Sequence, residues 1–187
     1  MLPLMMDIAT VPVAVIGQGS KALMRLEQVE AAGAHDNIKV FAKEADDALA
    51  AAAGERLIRD WPGAARMGEF RIAFIAGIDE SLAREFATLA RRHRVLVNVE
   101  DLRPFCDFFM PSLIRRGDLL IAVSTAGKSP ALGQRIREAI SGRFGVEWAA
   151  RLDEMARLRE AWRRDGHDPA SVRRLSEKHI TEQEWLT

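Results

Sequence analysis

Through the first hundred positions, short aliphatic and β-branched runs alternate with longer stretches of helical periodicity. The runs are VAVIG (13–17), IKVFA (38–42), ERLIRD (55–60), IAFIAG (72–77) and VLVNV (95–99), and helices are predicted over about 20–32 and 80–92. Runs that are apolar almost without interruption belong to strands buried on both faces, as in a parallel sheet covered by helices on each side. The pattern therefore predicts a doubly wound α/β architecture. From Phe108 the rhythm changes to FFMPSLI, a turn at Arg116-Gly117-Asp118, a strand LLIAVST (119–125), the loop AGKSP and a helix opening near Pro130. Leu132, Ile136, Ile140 and Phe144 recur every four residues as one apolar stripe, and Ser129-Pro130 supplies an N-cap and first-turn pair. Beyond Gly145 the chain reads as charged helix, anchored by Trp148, Leu152, Met155, Leu158 and Trp162. DGHDPAS (165–171) breaks it before a last helix. Three regions follow: 1–107, 108–144 and 145–187.

Charge and cysteine usage narrow the possibilities. Lys plus Arg and Asp plus Glu number 27 each in 187 residues, so nothing global draws the chain to nucleic acid or an anionic membrane. Any anionic ligand needs a local basic pocket. Cys106 is the only cysteine, which excludes an intrachain disulfide and a multi-cysteine zinc site and fits the reducing cytoplasm. The start MLPLMMDIATVPVAVIG lacks the pattern of a signal peptide, and no apolar run is long enough to cross a bilayer, so a soluble protein is expected. His35, His93, His167 and His179 have no metal-ligand spacing.

Two stretches carry candidate chemistry. AVIGQGSKAL places Gly17, Gln18, Gly19, Ser20, Lys21 and Ala22 between a strand and a helix in a G-x-G-x-x-A pattern. In that pattern Gly17 makes the tight turn, Gly19 admits a pyrophosphate to the backbone, and Ala22 lets the helix pack on the sheet. The acid expected on the ribose is less clear, because Glu44 lies slightly beyond the usual position with Lys43 beside it; the balance favours NAD over NADP. Gly77, Ile78 and Asp79 end another strand and form a second candidate loop, although Asp79 equally suits a helix cap. The other stretch is VNVED (97–101), read as a buried central strand ending on Glu100 and Asp101. Either acid can serve catalysis or merely solvate a strand end.

The segments LPLMMDI, VPVAVIGQGSKA, AAGA, AFIAGID, VLVNVEDLRPFCDFFMPSLI and LLIAVSTAGKSPALGQRIRE together resemble the precorrin-2 dehydrogenase and sirohydrochlorin ferrochelatase part of siroheme synthases. The resemblance runs from about Leu2 to Phe144. It implies a Rossmann-like NAD-binding domain (1–107), a small α/β dimerisation region (108–144) and a helical C-terminal region (145–187) in a homodimer. It also implies NAD-dependent oxidation of precorrin-2 to sirohydrochlorin, with ferrous iron insertion in some members, and a stand-alone form without the methyltransferase domain. In the family motif an asparagine is followed after two residues by an aspartate acting as general acid or base, which assigns that role to Asp101 and leaves Glu100 variable. Asn98, Ser124, Thr125 and Lys128 become candidate substrate contacts, and Arg103, Arg115, Arg116 and Arg135 candidate partners for substrate carboxylates. A rival of another class is a dinucleotide-gated sensor or tetrapyrrole carrier on the same fold without turnover. Retention of Asp101 favours the enzyme.

Overall fold

The computed structural model describes residues 2–186, which divide into two compact units, one ending at Phe109 and the other starting at Met110. In the first, β1 (Val13–Gly17), α1 (Gly19–Glu30), β2 (Ile38–Phe41), α2 (Asp47–Ala53), β3 (Leu57–Ile58), α3 (Ala64–Met67), β4 (Ile72–Ala76), α4 (Glu80–Arg92) and β5 (Leu96–Val99) follow one another along the chain. The strands form one parallel sheet in the order β3-β2-β1-β4-β5. This is the strand order of a mononucleotide-binding Rossmann half extended by two strands on the other side of β1.

Burial explains the apolar runs. Every residue of β1 and β4 is buried, because Val13 to Gly17 pair with β4 on one side and Val13 to Ile16 with β2 on the other while helices cover both faces. Ala83, Phe86, Ala87 and Ala90 of α4 occupy the i, i+3, i+4, i+7 positions that face the sheet, and Ala22, Leu26 and Val29 do the same in α1. Side chains such as Leu26, Phe74 and Ile16 are almost wholly removed from water, each worth roughly 1.5–3 kcal/mol of burial.

The second unit opens with an antiparallel hairpin of β6 (Ser112–Arg116) and β7 (Leu119–Val123), paired from Ser112↔Val123 to Arg116↔Leu119. The two-residue turn passes through Gly117 at φ +56°, a conformation glycine adopts without steric cost. A strand over 112–116 was not expected from the pattern; only Ile114 of the five is buried. Helices α5 (Pro130–Arg143), α6 (Glu147–Arg164) and α7 (Pro169–Glu182) complete the unit. Ser129 caps α5 by accepting from the Leu132 amide, with Pro130 in its first turn. Arg116 ties the hairpin to the end of α5, donating from Nε to the Phe144 carbonyl at 2.9 Å and from Nη2 to Ser141 Oγ at 2.8 Å. Of the apolar stripe on α5, Leu132 and Ile136 lie exposed.

Candidate functional site

The carboxyl ends of β1 and β4 approach so closely that side chains are excluded. A Cβ on Gly17 would fall 1.8 Å from the Ala76 carbonyl oxygen, and one on Gly77 (φ +71°) would fall 2.1 Å from the Gln18 carbonyl oxygen. Ala22 packs against Gly17, whose Cβ position lies 3.3 Å from the Ala22 methyl. A larger residue at 22 would force helix and strand apart. Gly19 differs: it has φ +63°, and beyond its own adjoining helix and loop backbone no heavy atom of the described residues lies within 4 Å of its Cβ position. The backbone is open where a pyrophosphate would approach. The N-terminus of α1 lacks a side-chain cap and any acid in its first turn, whereas Asp46 caps α2 and Asp79 caps α4. The uncapped amides of α1 suit an anion. Asp79 accepts from the Leu82 amide at 3.0 Å, so its carboxylate serves as the helix cap. Ser20 is exposed beside Gly19, and Gln18 Oε1 accepts from the Glu44 amide at 2.8 Å, tying the loop after β2 to the glycine loop.

Glu100 and Asp101 lie beyond the end of β5, an edge strand and not the central one expected. The pattern of a single strand carries no information on its neighbours. The Glu100 amide donates to the Ile75 carbonyl at 2.9 Å, which fixes it to β4. The chain then turns through Asp101 at φ +57°, a left-handed conformation that aspartate tolerates better than most residues. The two acids end in different surroundings, with side-chain exposures of 13% for Glu100 and 83% for Asp101. Lys21 reaches from the first turn of α1 to both, its Nζ 3.2 Å from Glu100 Oε2 and 3.2 Å from Asp101 Oδ2. Hydrogen bonds to Glu100 and then Asp101 raise the Lys21 pKa above the ordinary lysine value. The glycine-loop pattern carries no sign of this contact, since nothing local connects Lys21 with residues 100 and 101. Lys21, Gly77, Ile78, Glu100, Asp101 and Leu102 line a pocket of about 200 Å³.

The segment after Asp101 folds back along the exposed edge of β5. Asp107 accepts from the Val97 amide through Oδ2 at 3.0 Å, its own amide donates to the Val97 carbonyl at 2.7 Å, and its Oδ1 pairs with Arg91. Cys106 Sγ accepts from the Val99 amide at 3.2 Å and donates to the Val99 carbonyl at 3.1 Å. Edge groups that would otherwise be open to another strand are satisfied in this way. Asn98 is 5% exposed and donates from Nδ2 to the Phe108 carbonyl at 3.0 Å, so its side chain points into the protein and braces this loop. Phe108 packs edge-on against Phe74, with ring centroids 5.4 Å apart. Sequence reasoning missed Cys106 and Asp107; their signal is a thiol and a carboxylate placed to meet the free amides of a terminal strand.

The remaining candidates belong to the second unit. Ser124 Oγ accepts from the Ala126 amide at 3.2 Å, and Thr125 Oγ1 donates to the Ser129 carbonyl at 3.0 Å. Ala126 and Gly127 both have positive φ, and the Lys128 amide donates to the Thr125 carbonyl at 3.0 Å. The loop is thus a self-bonded turn that presents Lys128. Of the arginines, Arg116 is engaged by the end of α5 and Arg135 by Glu138, while in the first unit Arg103 stacks over Phe109 at 5.1 Å. Among the described residues, no group of three or more His, Cys, Asp or Glu is arranged to hold a metal, and no helix is long and apolar enough to cross a membrane.

With this geometry in place, comparisons identify relatives. A family described as NAD(P)-binding matches residues 4–112, and one described as the central part of sirohaem biosynthesis proteins matches residues 116–142. The siroheme synthase of Methylococcus capsulatus is 34% identical over 173 residues, covering 86% of this chain and 35% of that protein. Siroheme synthase 1 of Serratia proteamaculans is 32% identical over 166 residues, covering 87% and 33%. The chain therefore spans about a third of the length of these curated relatives. A solved structure titled SirC, precorrin-2 dehydrogenase, superimposes with a TM-score of 0.77 at 23% identity, covering 100% of this chain and 93% of that one. The likeness in fold extends through both units. Since the first match takes in more than half of the sequence, the chain belongs to the NAD(P)-binding family represented in siroheme synthases.

Proposed function

We propose that the protein oxidises precorrin-2 to sirohydrochlorin with NAD, the dehydrogenation step of siroheme biosynthesis, in the cytoplasm. The observation that carries this reading is that Lys21, which follows the open glycine loop, lines one pocket with Gly77, Ile78 and Asp101 at the carboxyl end of the sheet. Amides at the start of α1 and the backbone of Gly17, Gln18, Gly19 and Ser20 would hold the pyrophosphate, with Gly77 and Ile78 forming the opposite wall. When bound, NAD supplies the acceptor for the hydride. Asp101, exposed at the mouth, takes the proton that leaves the substrate as the hydride departs. Gln18 holds Glu44 beside the glycine loop, where a carboxylate favours a free ribose hydroxyl over a 2′-phosphate; this supports NAD over NADP.

Precorrin-2 carries acetate and propionate arms. Arg103, next to the pocket residue Leu102 and stacked over Phe109, has no carboxylate within 4 Å among the described residues, so its guanidinium can meet those arms. The same Asp101 would accept pyrrole protons if ferrous iron is the next substrate. The protein acts as a homodimer through the second unit, where Leu113, Leu132 and Ile136 lie exposed and the sheet has two strands alone. Anaerobic incubation with precorrin-2 and NAD, followed by ferrous iron, tests the reading by absorption spectra at each stage. Sirohydrochlorin and NADH should form together in equal amounts. Binding of both ligands without either product would favour the sensor or carrier instead.

A further inference from the structure

Lys21 has no local reason to be where it is. A lysine in the first turn of a helix sits at the positive end of the helix dipole, where cations are disfavoured. Its side chain leaves that turn and places Nζ at 3.2 Å from one oxygen of each adjacent acid, residues 79 and 80 positions away in sequence. Glu100 is the sheltered one and is fixed through its amide to β4, so it anchors the ammonium to the sheet. Asp101 is largely in solvent on a left-handed turn, and Lys21 is its side chain's one hydrogen-bond partner among the described residues. Without that contact an exposed aspartate samples several rotamers.

We propose that Lys21 is a positioning residue: steered by Glu100, its ammonium holds the Asp101 carboxylate in one orientation over the pocket. The inference rests on Asp101 as the proton-transfer group and adds the device that keeps it in place. The raised pKa of Lys21, caused first by Glu100 and then by Asp101, keeps the ammonium charged across the working range. Sharing one cation also relieves the repulsion between two neighbouring carboxylates. Glu100, variable by the family resemblance, here acquires a definite task through Lys21.

The test is a double-mutant cycle with two readouts, turnover of precorrin-2 at saturating NAD and NAD affinity by calorimetry. Lys21→Met should lower kcat by about tenfold, the order expected when a reacting group loses its orientation, and leave the Kd for NAD within about twofold, with Lys21→Arg recovering most of the loss. In an Asp101→Asn background Lys21→Met should have no further effect, because the group it positions is already disabled. Should Lys21→Met fold poorly with Glu100 stranded, Lys21→Met with Glu100→Gln removes the unpaired acid and should show the same loss. A weakened NAD affinity with unchanged kcat would make Lys21 a cofactor contact and overturn the proposal. An equal, independent loss in the Asp101→Asn background would overturn it too. Full activity of Asp101→Asn itself would instead defeat the assignment of Asp101, a separate failure.

Discussion

The two units differ in how much of their own surface they bury. In the first, the sheet residues of β1 and β4, the inner faces of α1 and α4, and Phe41, Met67 and Phe70 form a dry interior, with even the edge of β5 covered by Cys106 and Asp107. In the second, the buried apolar side chains among the described residues are Ile114, Met155 and Val172, and large ones such as Leu132, Leu113 and Val146 face outward. A sheet of only two strands is marginal in water unless its faces and edges are covered. The difference teaches where each kind of work is done: the first unit is a finished scaffold with a candidate site at its strand ends, while the second leaves large apolar side chains facing solvent, the surface on which the proposed homodimer would form.

The largest effect should come from striking the first unit at its closest backbone approach. Gly17→Ala puts a methyl group where the Ala76 carbonyl oxygen lies, so β1 and β4 cannot keep their register, and folded protein should be lost from the soluble fraction. Phe74→Ala is next, removing a buried ring and its edge contact with Phe108; urea unfolding should report a loss of about 3–5 kcal/mol. The second unit should answer differently. Leu132→Asp together with Ile136→Asp should leave helical content unchanged while weakening self-association roughly thirtyfold or more, as for loss of a central interface anchor, measured by sedimentation. A stable wild-type monomer at micromolar concentration would break the comparison outright.

The smallest effect concerns pH and the cap of α7. Asp168 accepts from the Ser171 amide at 2.7 Å, and that backbone contact, followed by the Ser171 side chain, holds its pKa below the ordinary aspartate value. A group whose folded pKa is depressed stabilises the fold above its unfolded pKa and loses that contribution as pH falls through the folded value. The cap is fully solvated, so Asp168→Ala should lower Tm only slightly at neutral pH and not at all in strong acid.

Periodicity made the scaffold legible. The helix read over 80–92 and α4 coincide, and the apolar runs at 13–17 and 72–77 became β1 and β4, because burial on both faces leaves an uninterrupted aliphatic signature. The strand β6 escaped notice since SLIRR buries one residue in five, and the edge position of β5 escaped because strand order is a tertiary property. In the candidate site, the spacing of Gly17, Gly19 and Ala22 is a local signal and could be read directly. The Lys21 contact to Glu100 and Asp101 could not, since it joins the first turn of one helix to a loop about eighty residues later. Asn98 could be placed in a motif but not oriented: only the folded loop reveals that its amide faces the Phe108 carbonyl.

The claim on which the functional reading turns is that Asp101, and not the neighbouring Glu100, handles the proton. Asparagine accepts the left-handed backbone at position 101 readily, so Asp101→Asn changes the chemistry without disturbing the turn. Measured anaerobically with precorrin-2 at saturating NAD, it should lose about 10²–10⁴ in kcat, the usual cost of a missing general acid or base. NAD binding should persist, and Glu100→Gln should cost far less. Wild-type turnover by Asp101→Asn, or a greater loss in Glu100→Gln, would contradict the assignment.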